Sequence, residues 1–107
     1  MTGRTVRFIQ SLKTAVMSFA VFLKKQGKLA LAEPLYLEAR EKLSAIFGEA
    51  SEPLGGWALN YGALLEAKGD TAGAKESYDR SLAIFTSVLG EDHPVTKRVR
   101  QKRAELR

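Results

Sequence analysis

No cysteine occurs in the chain, which removes disulfide frameworks, cysteine-ligated zinc and thiol chemistry together. Histidine occurs once, at His93, so there is no His-x-x-x-His pair, and no acidic run has the spacing of a calcium loop. The longest apolar stretch, Ala15 to Leu23, is interrupted by Ser18 and falls short of the roughly 20 residues a spanning helix needs. No apolar run near the start has the form of a secretory signal. The Gly55-Gly56 pair lacks the lysine and hydroxyl of a phosphate loop and the glycine spacing of a dinucleotide turn. No segment alternates apolar and polar residues with the period of a strand. Catalysis, a cofactor and a resident metal are therefore not expected.

The 107 residues suffice for one small domain. A hydrophobic share of 45% and a charged share of 27% are ordinary for a globular chain. The net charge of +5 is unevenly laid out. Met1 to Ala32 carries six bases and no acid, Glu33 to Asp92 eleven acids and five bases, and His93 to Arg107 six bases and one acid. Two positive ends around a negative middle suit acidic partners at either end, or a second copy of the chain. The leading stretch MTGRTVRFIQSLK has the basic, acid-free character of a mitochondrial presequence. The plainer reading is a basic first turn on a structural helix, because the rhythm Ile9, Leu12, Val16, Phe19 runs into the domain without a break. An intracellular, cytoplasmic setting is expected, with a mitochondrial one as the alternative.

What the chain does contain is an internal repeat. Gly27 and Gly69 are 42 residues apart, as are Ala32 and Ala74, Tyr36 and Tyr78, Ala39 and Ser81, Leu43 and Phe85, and Gly48 and Gly90. GEASEP in the first copy becomes GEDHP in the second. Each copy reads as two helices. Val16, Phe19, Ala20 and Leu23 lie on one helical face that stops at Gly27; Ala32, Tyr36, Ala39 and Leu43 lie on a second that stops at Gly48. Ala58, Tyr61, Gly62 and Leu65, then Ala74, Tyr78, Ser81, Leu82 and Phe85, repeat the pattern. Asp70 is the expected N-cap of the fourth helix, and Ser51 and Asp92 are expected caps before prolines. Pro34 is expected near a first turn, where a missing N–H is tolerated. Small residues at Ala20, Ala32, Gly62 and Ala74 let paired helices approach. Tyr36 and Tyr78 are expected to fill the space between one hairpin and the next. Trp57 is expected to pack between the repeats, an exposed anchor being the alternative. From Pro94 a last helix offers only Val95, Val99, Ala104 and Leu106 for packing, which suits a polar cap.

The stretches GKLALAEPLY (27–36), ALNYGALLEAKGDTAGAKESYDRSLAIF (58–85) and LGEDHP (89–94) resemble the tetratricopeptide repeat family, in particular the long repeats of kinesin light chain and related proteins. The resemblance implies an all-α, right-handed helix-hairpin superhelix of two repeats and a C-terminal capping helix. Residues 1–13 then extend the first helix, 14–52 and 53–93 form the repeats, and 94–107 form the basic cap. It also implies a non-enzymatic protein–protein interaction module, an adaptor or scaffold, that holds a peptide or helix segment in the groove lined by the first helix of each repeat. By the family register that groove takes Met17, Ser18, Val21, Lys24 and Lys25 from the first repeat. From the second it takes Leu59, Asn60, Ala63 and Glu66, and from the cap Arg100 and Gln101. Asn60 matches a family asparagine that hydrogen-bonds a bound peptide backbone, a task suited to an amide. Leu59 and Met17-Ser18 depart from the Asn-Asn pair of the light chains. The partner implied is an acidic or part-apolar protein segment, with self-association as a second possibility. The run KRVRQKR has the charge for phosphates but no aromatic for base stacking, so neither nucleic acid nor membrane is the expected partner. The alternative function is a structural subunit of a large assembly, nucleoprotein or organellar, held through its basic ends.

Overall fold

The computed structural model describes residues 22–106. Residues 22–25 close one helix, and four more follow: α1 (Leu29–Phe47), α2 (Glu52–Ala67), α3 (Thr71–Leu89) and α4 (Pro94–Glu105). No strand occurs among the described residues, and the all-α helical-repeat architecture expected from the sequence is what the chain adopts. No described helix is long and apolar enough to cross a membrane. Helix α2 is central. It packs on α1 on one side and on α3 on the other, and α3 in turn carries α4.

The repeat seen in the letters recurs in the backbone. Gly27 and Gly69 both take positive φ, 76° and 85°, at the two hairpin turns, a conformation that a side chain would strain. Around them the backbone bonds of the turns correspond. Gly27 N donates to Lys24 O and Gly69 N to Glu66 O, both at 3.0 Å; Lys28 N donates to Leu23 O and Asp70 N to Leu65 O, both at 2.9 Å. The paired core residues are buried alike: Ala32 with Ala74, Tyr36 with Tyr78, Ala39 with Ser81, Leu43 with Phe85.

The α2–α3 crossing is set by two glycines. A methyl group on Gly62 would stand 2.6 Å from the Tyr78 ring, and one on Gly55 would stand 3.0 Å from the Phe85 ring. The aromatic rings therefore lie directly on the α2 backbone. Two α3 serines complete the seam. Ser77 Oγ donates to Ala58 O at 2.6 Å, and Ser81 Oγ donates to Gly55 O at 2.7 Å. Buried hydroxyls thus find partners in second lone pairs of helical carbonyls.

Several local expectations are corrected. Tyr78 packs on Gly62 of its own hairpin, and Leu106, just past α4, packs against the cluster it belongs to. Pro34 lies in the second turn of α1, because that helix begins at Leu29. It deprives the Ala30 carbonyl of its usual donor, and Ala30 is exposed, so water can replace it. Asp70 does cap α3, accepting from Gly73 N at 2.9 Å. Ser51 stands at the N-cap of α2 but makes no cap bond; its hydroxyl donates back to Gly48 O at 2.7 Å. His93, not Asp92, caps α4, with Nδ1 accepting from Val95 N at 3.1 Å. In α4, Val99 and Thr96 are fully buried and Thr96 Oγ1 donates to Phe85 O at 3.3 Å, whereas Ala104 is exposed. Arg103 Nε bonds Asp79 Oδ1 at 2.7 Å and joins α4 to α3.

The two α2 glycines outside the crossing and within it give a matched test. Gly62→Ala should cost about 1–3 kcal/mol, since the Tyr78 ring is packed and cannot retreat. Gly56→Ala, with nothing near the new methyl, should be neutral or gain up to about 1 kcal/mol from helix propensity. Urea denaturation followed by circular dichroism reads both.

Candidate functional site

The residues of α2 divide between two uses. Leu54, Trp57, Ala58, Gly62, Leu64 and Leu65 are buried against neighbouring helices. Leu59, Asn60 and Ala63 are only half-buried and Glu66 is exposed. Spacings of three and four place these on one side of the helix. The candidates do not all keep free side chains there. Leu59 packs, with Tyr61 and Leu106, against the cluster of Leu65, Ala74 and Tyr78. Glu66 accepts the Tyr78 hydroxyl at 3.0 Å. Among the described residues, Asn60 makes no side-chain hydrogen bond.

Lys24 and Lys25 sit on the last turn of the helix that precedes α1, half-buried and exposed respectively. Lys24 holds the hairpin position that Glu66 holds in the next repeat. Arg100 and Gln101 are exposed on α4. Arg100 reaches Glu91 O at 3.5 Å, and Gln101 bonds Glu105 one turn on at 3.3 Å. Met17, Ser18 and Val21 lie outside the described residues.

Trp57 packs between the repeats and Tyr36 lies against Tyr61 of the next hairpin, as expected, but sequence reasoning missed the hydrogen bonds of that seam. Trp57 is buried and Nε1 donates to Tyr36 O at 2.6 Å across the α1–α2 interface. Its ring stacks on Tyr61, with centroids 4.8 Å apart, and the Arg40 guanidinium lies 5.7 Å over it. Tyr61 Oη donates to Glu33 at 3.2 Å, and Glu33 also bonds Lys68. Glu33 is thus a tie from α1 to α2. The Lys68 bond holds its carboxyl below the ordinary value, against an opposing effect of desolvation. The signal available was the Trp57–Tyr61 spacing of four, which stacks side chains along one helix face. Beside this seam a cleft of ≈ 240 Å³ is lined by Trp57, Tyr61, Leu65, Gly73, Glu76, Ser77 and Arg80.

A stack of helical hairpins, with repeated turns and one partly open helix face, defines a helical-repeat protein. Residues 57–95 match the family model for the tetratricopeptide repeat. That stretch runs from Trp57 in α2 through α3 to the start of α4, and its match supports a tetratricopeptide repeat there, in general a protein–protein interaction module. No curated protein matches the chain.

The chain's three tyrosines, Tyr36, Tyr61 and Tyr78, all have phenols pushed above the ordinary value, burial being the largest cause in each. A raised folded value stabilises the fold below the unfolded tyrosine pKa of about 10 and loses that contribution as pH climbs past it. Absorbance at alkaline pH should therefore show no tyrosine ionising at the ordinary value while the helices persist. Glu33 has the opposite sign: its lowered value adds stability above the ordinary carboxylate pKa, lost as pH falls through the folded one. Because Lys68 and Glu33 are part-exposed, Glu33→Gln should cost no more than about 1 kcal/mol at neutral pH. The cost should shrink in acid, by thermal melts at several pH values.

Proposed function

We propose that the chain is a non-enzymatic adaptor or scaffold module that grips a peptide or helical segment of a partner protein. The grip is on the side formed by the first helix of each hairpin and by α4. The observation that carries this reading is the division within α2: one side is spent on α1 and α3, while Leu59, Asn60 and Ala63 on the other stay only half-buried. Asn60 has its amide unspent among the described residues, with a donor and an acceptor to offer a peptide unit. Lys24, Lys25 and Arg100 supply positive charge at the margins for acidic side chains. The family to which residues 57–95 conform is typically non-enzymatic, which supports a binding role.

The second reading, an assembly subunit held through its basic ends, draws on α4, where Lys97, Arg98, Arg100 and Lys102 are all exposed. The two separate by mutation. For a partner recovered by affinity capture, titration calorimetry should show Asn60→Ala weakening binding about 3–10-fold, one hydrogen bond's worth. Charge reversal at Lys24 and Lys25 should weaken it further. Arg98→Glu with Lys102→Glu should leave groove binding intact; Arg103 is kept because it ties α4 to Asp79. Binding lost only in the α4 variant overturns the groove reading in favour of the second.

A further inference from the structure

The two hairpins differ in what meets a buried tyrosine hydroxyl. Tyr36 and Tyr78 are register equivalents, both with essentially no exposed surface. Tyr78 Oη donates to Glu66 Oε1 at 3.0 Å. Tyr36 Oη has no partner, and it is the buried side-chain polar atom left unsatisfied among the described residues. An orphaned buried hydroxyl is costly, because it gave up its water and received nothing in exchange.

The cause lies one repeat earlier than Glu66. Its equivalent is Lys24, and the backbone leaves no doubt about the register. Lys24 O and Glu66 O accept from Gly27 N and Gly69 N at the same 3.0 Å. The neighbouring pair of turn bonds agree as well, Gln26 N to Phe22 O and Lys68 N to Leu64 O, again both at 3.0 Å. At the register position where the second hairpin has the acceptor of its tyrosine, the first has a lysine, with Lys25 next in the chain. An ammonium has no lone pair and cannot accept the phenol proton.

The position is also shallow. Glu66 is exposed although the phenol it meets is buried, so the hydroxyl of the second hairpin ends one side chain below the surface. Lys24, half-buried, holds the matching register position, and its long stem is flexible.

We infer that the first hairpin takes its missing acceptor from the bound partner: a glutamate or aspartate side chain of an acidic segment seats against Lys24 and Lys25 and accepts the Tyr36 hydroxyl. Two donors of unlike kind, a phenol O–H and an ammonium, then converge on one carboxylate, which favours a charged acceptor over an amide. In the second hairpin the same place is filled by the chain's own Glu66 and is closed to such a ligand. This rests on the groove reading above and adds the class of side chain and the place where it is held.

The test uses a short peptide alternating Glu and Ala, with a Gln-for-Glu peptide as control, and reads affinity and melting temperature on the full chain. The Glu peptide should bind and the Gln peptide should bind about tenfold more weakly or not at all. Lys24→Glu supplies the internal acceptor and copies the second hairpin. It should raise Tm by about 4–8 °C and lose the Glu peptide. Tyr36→Phe should leave Tm unchanged or higher and weaken the peptide about 3–10-fold, whereas Tyr78→Phe, which breaks a bond already made, should lower Tm. The inference is overturned if Tyr36→Phe lowers Tm as much as Tyr78→Phe, or if Lys24→Glu and Tyr36→Phe both bind the Glu peptide like the parent. Should those two bind normally while Asn60→Ala does not, the groove survives and this subsite does not. A peptide indifferent to all three substitutions removes the groove as well.

Discussion

The contact on which the rest depends is an aromatic ring laid on a bare helix backbone. Tyr78 rests on Gly62, and Phe85 rests on Gly55, with no room for a methyl group between. That closeness brings α3 near enough for Ser77 and Ser81 to bond α2 carbonyls. It also spends one side of α2 completely, so that whatever α2 offers to a partner lies on its remaining side. A wider helix spacing would leave the serine hydroxyls buried and unpaired, each at a cost of about 1–3 kcal/mol. Packing and polar satisfaction therefore reinforce each other at a single seam.

The seam between the repeats works differently. Trp57, Tyr61 and Tyr36 form an aromatic block; the Trp57 and Tyr61 tips are satisfied by the Tyr36 carbonyl and by Glu33, and the Tyr36 hydroxyl is not. Lys68 and Arg40 bring charge to its edges. Specific hydrogen bonds at the tips of large rings fix the angle at which one hairpin follows the next, which apolar contact alone leaves loose. That angle governs how the outer positions of successive first helices, Lys24 and Lys25 before α1 and Asn60 and Ala63 on α2, stand in relation to one another.

Near-identity between the hairpins makes their differences informative. The backbone bonds of the turns correspond up to the helix cap, and the paired core residues agree in burial. The Lys24–Glu66 exchange then stands out as a departure that packing does not require. It exchanges a satisfied phenol for an unsatisfied one, a local loss of stability of the kind that binding sites carry.

The sequence by itself determined the helices, their order and their stops. Glycine at Gly27, Gly48, Gly69 and Gly90, all at positive φ, and apolar residues at helical spacing are local signals, readable wherever the chain goes. The repeat was legible for the same reason: equal spacing needs no coordinates. Most of the candidate surface on α2 was legible too, because the half-buried Leu59, Asn60 and Ala63 follow from the register. Only the tertiary structure decided which polar groups meet. Nothing local pairs Glu33 with Lys68 and Tyr61, Ser81 with Gly55, or Arg103 with Asp79, since each partnership joins residues more than twenty apart. Caps were misread where two adjacent residues competed, as at Asp92 and His93, because the winner depends on where the turn aims each side chain. Helix formation is a property of neighbours along the chain; hydrogen-bond satisfaction belongs to neighbours in space, and the packed seams alone settle those.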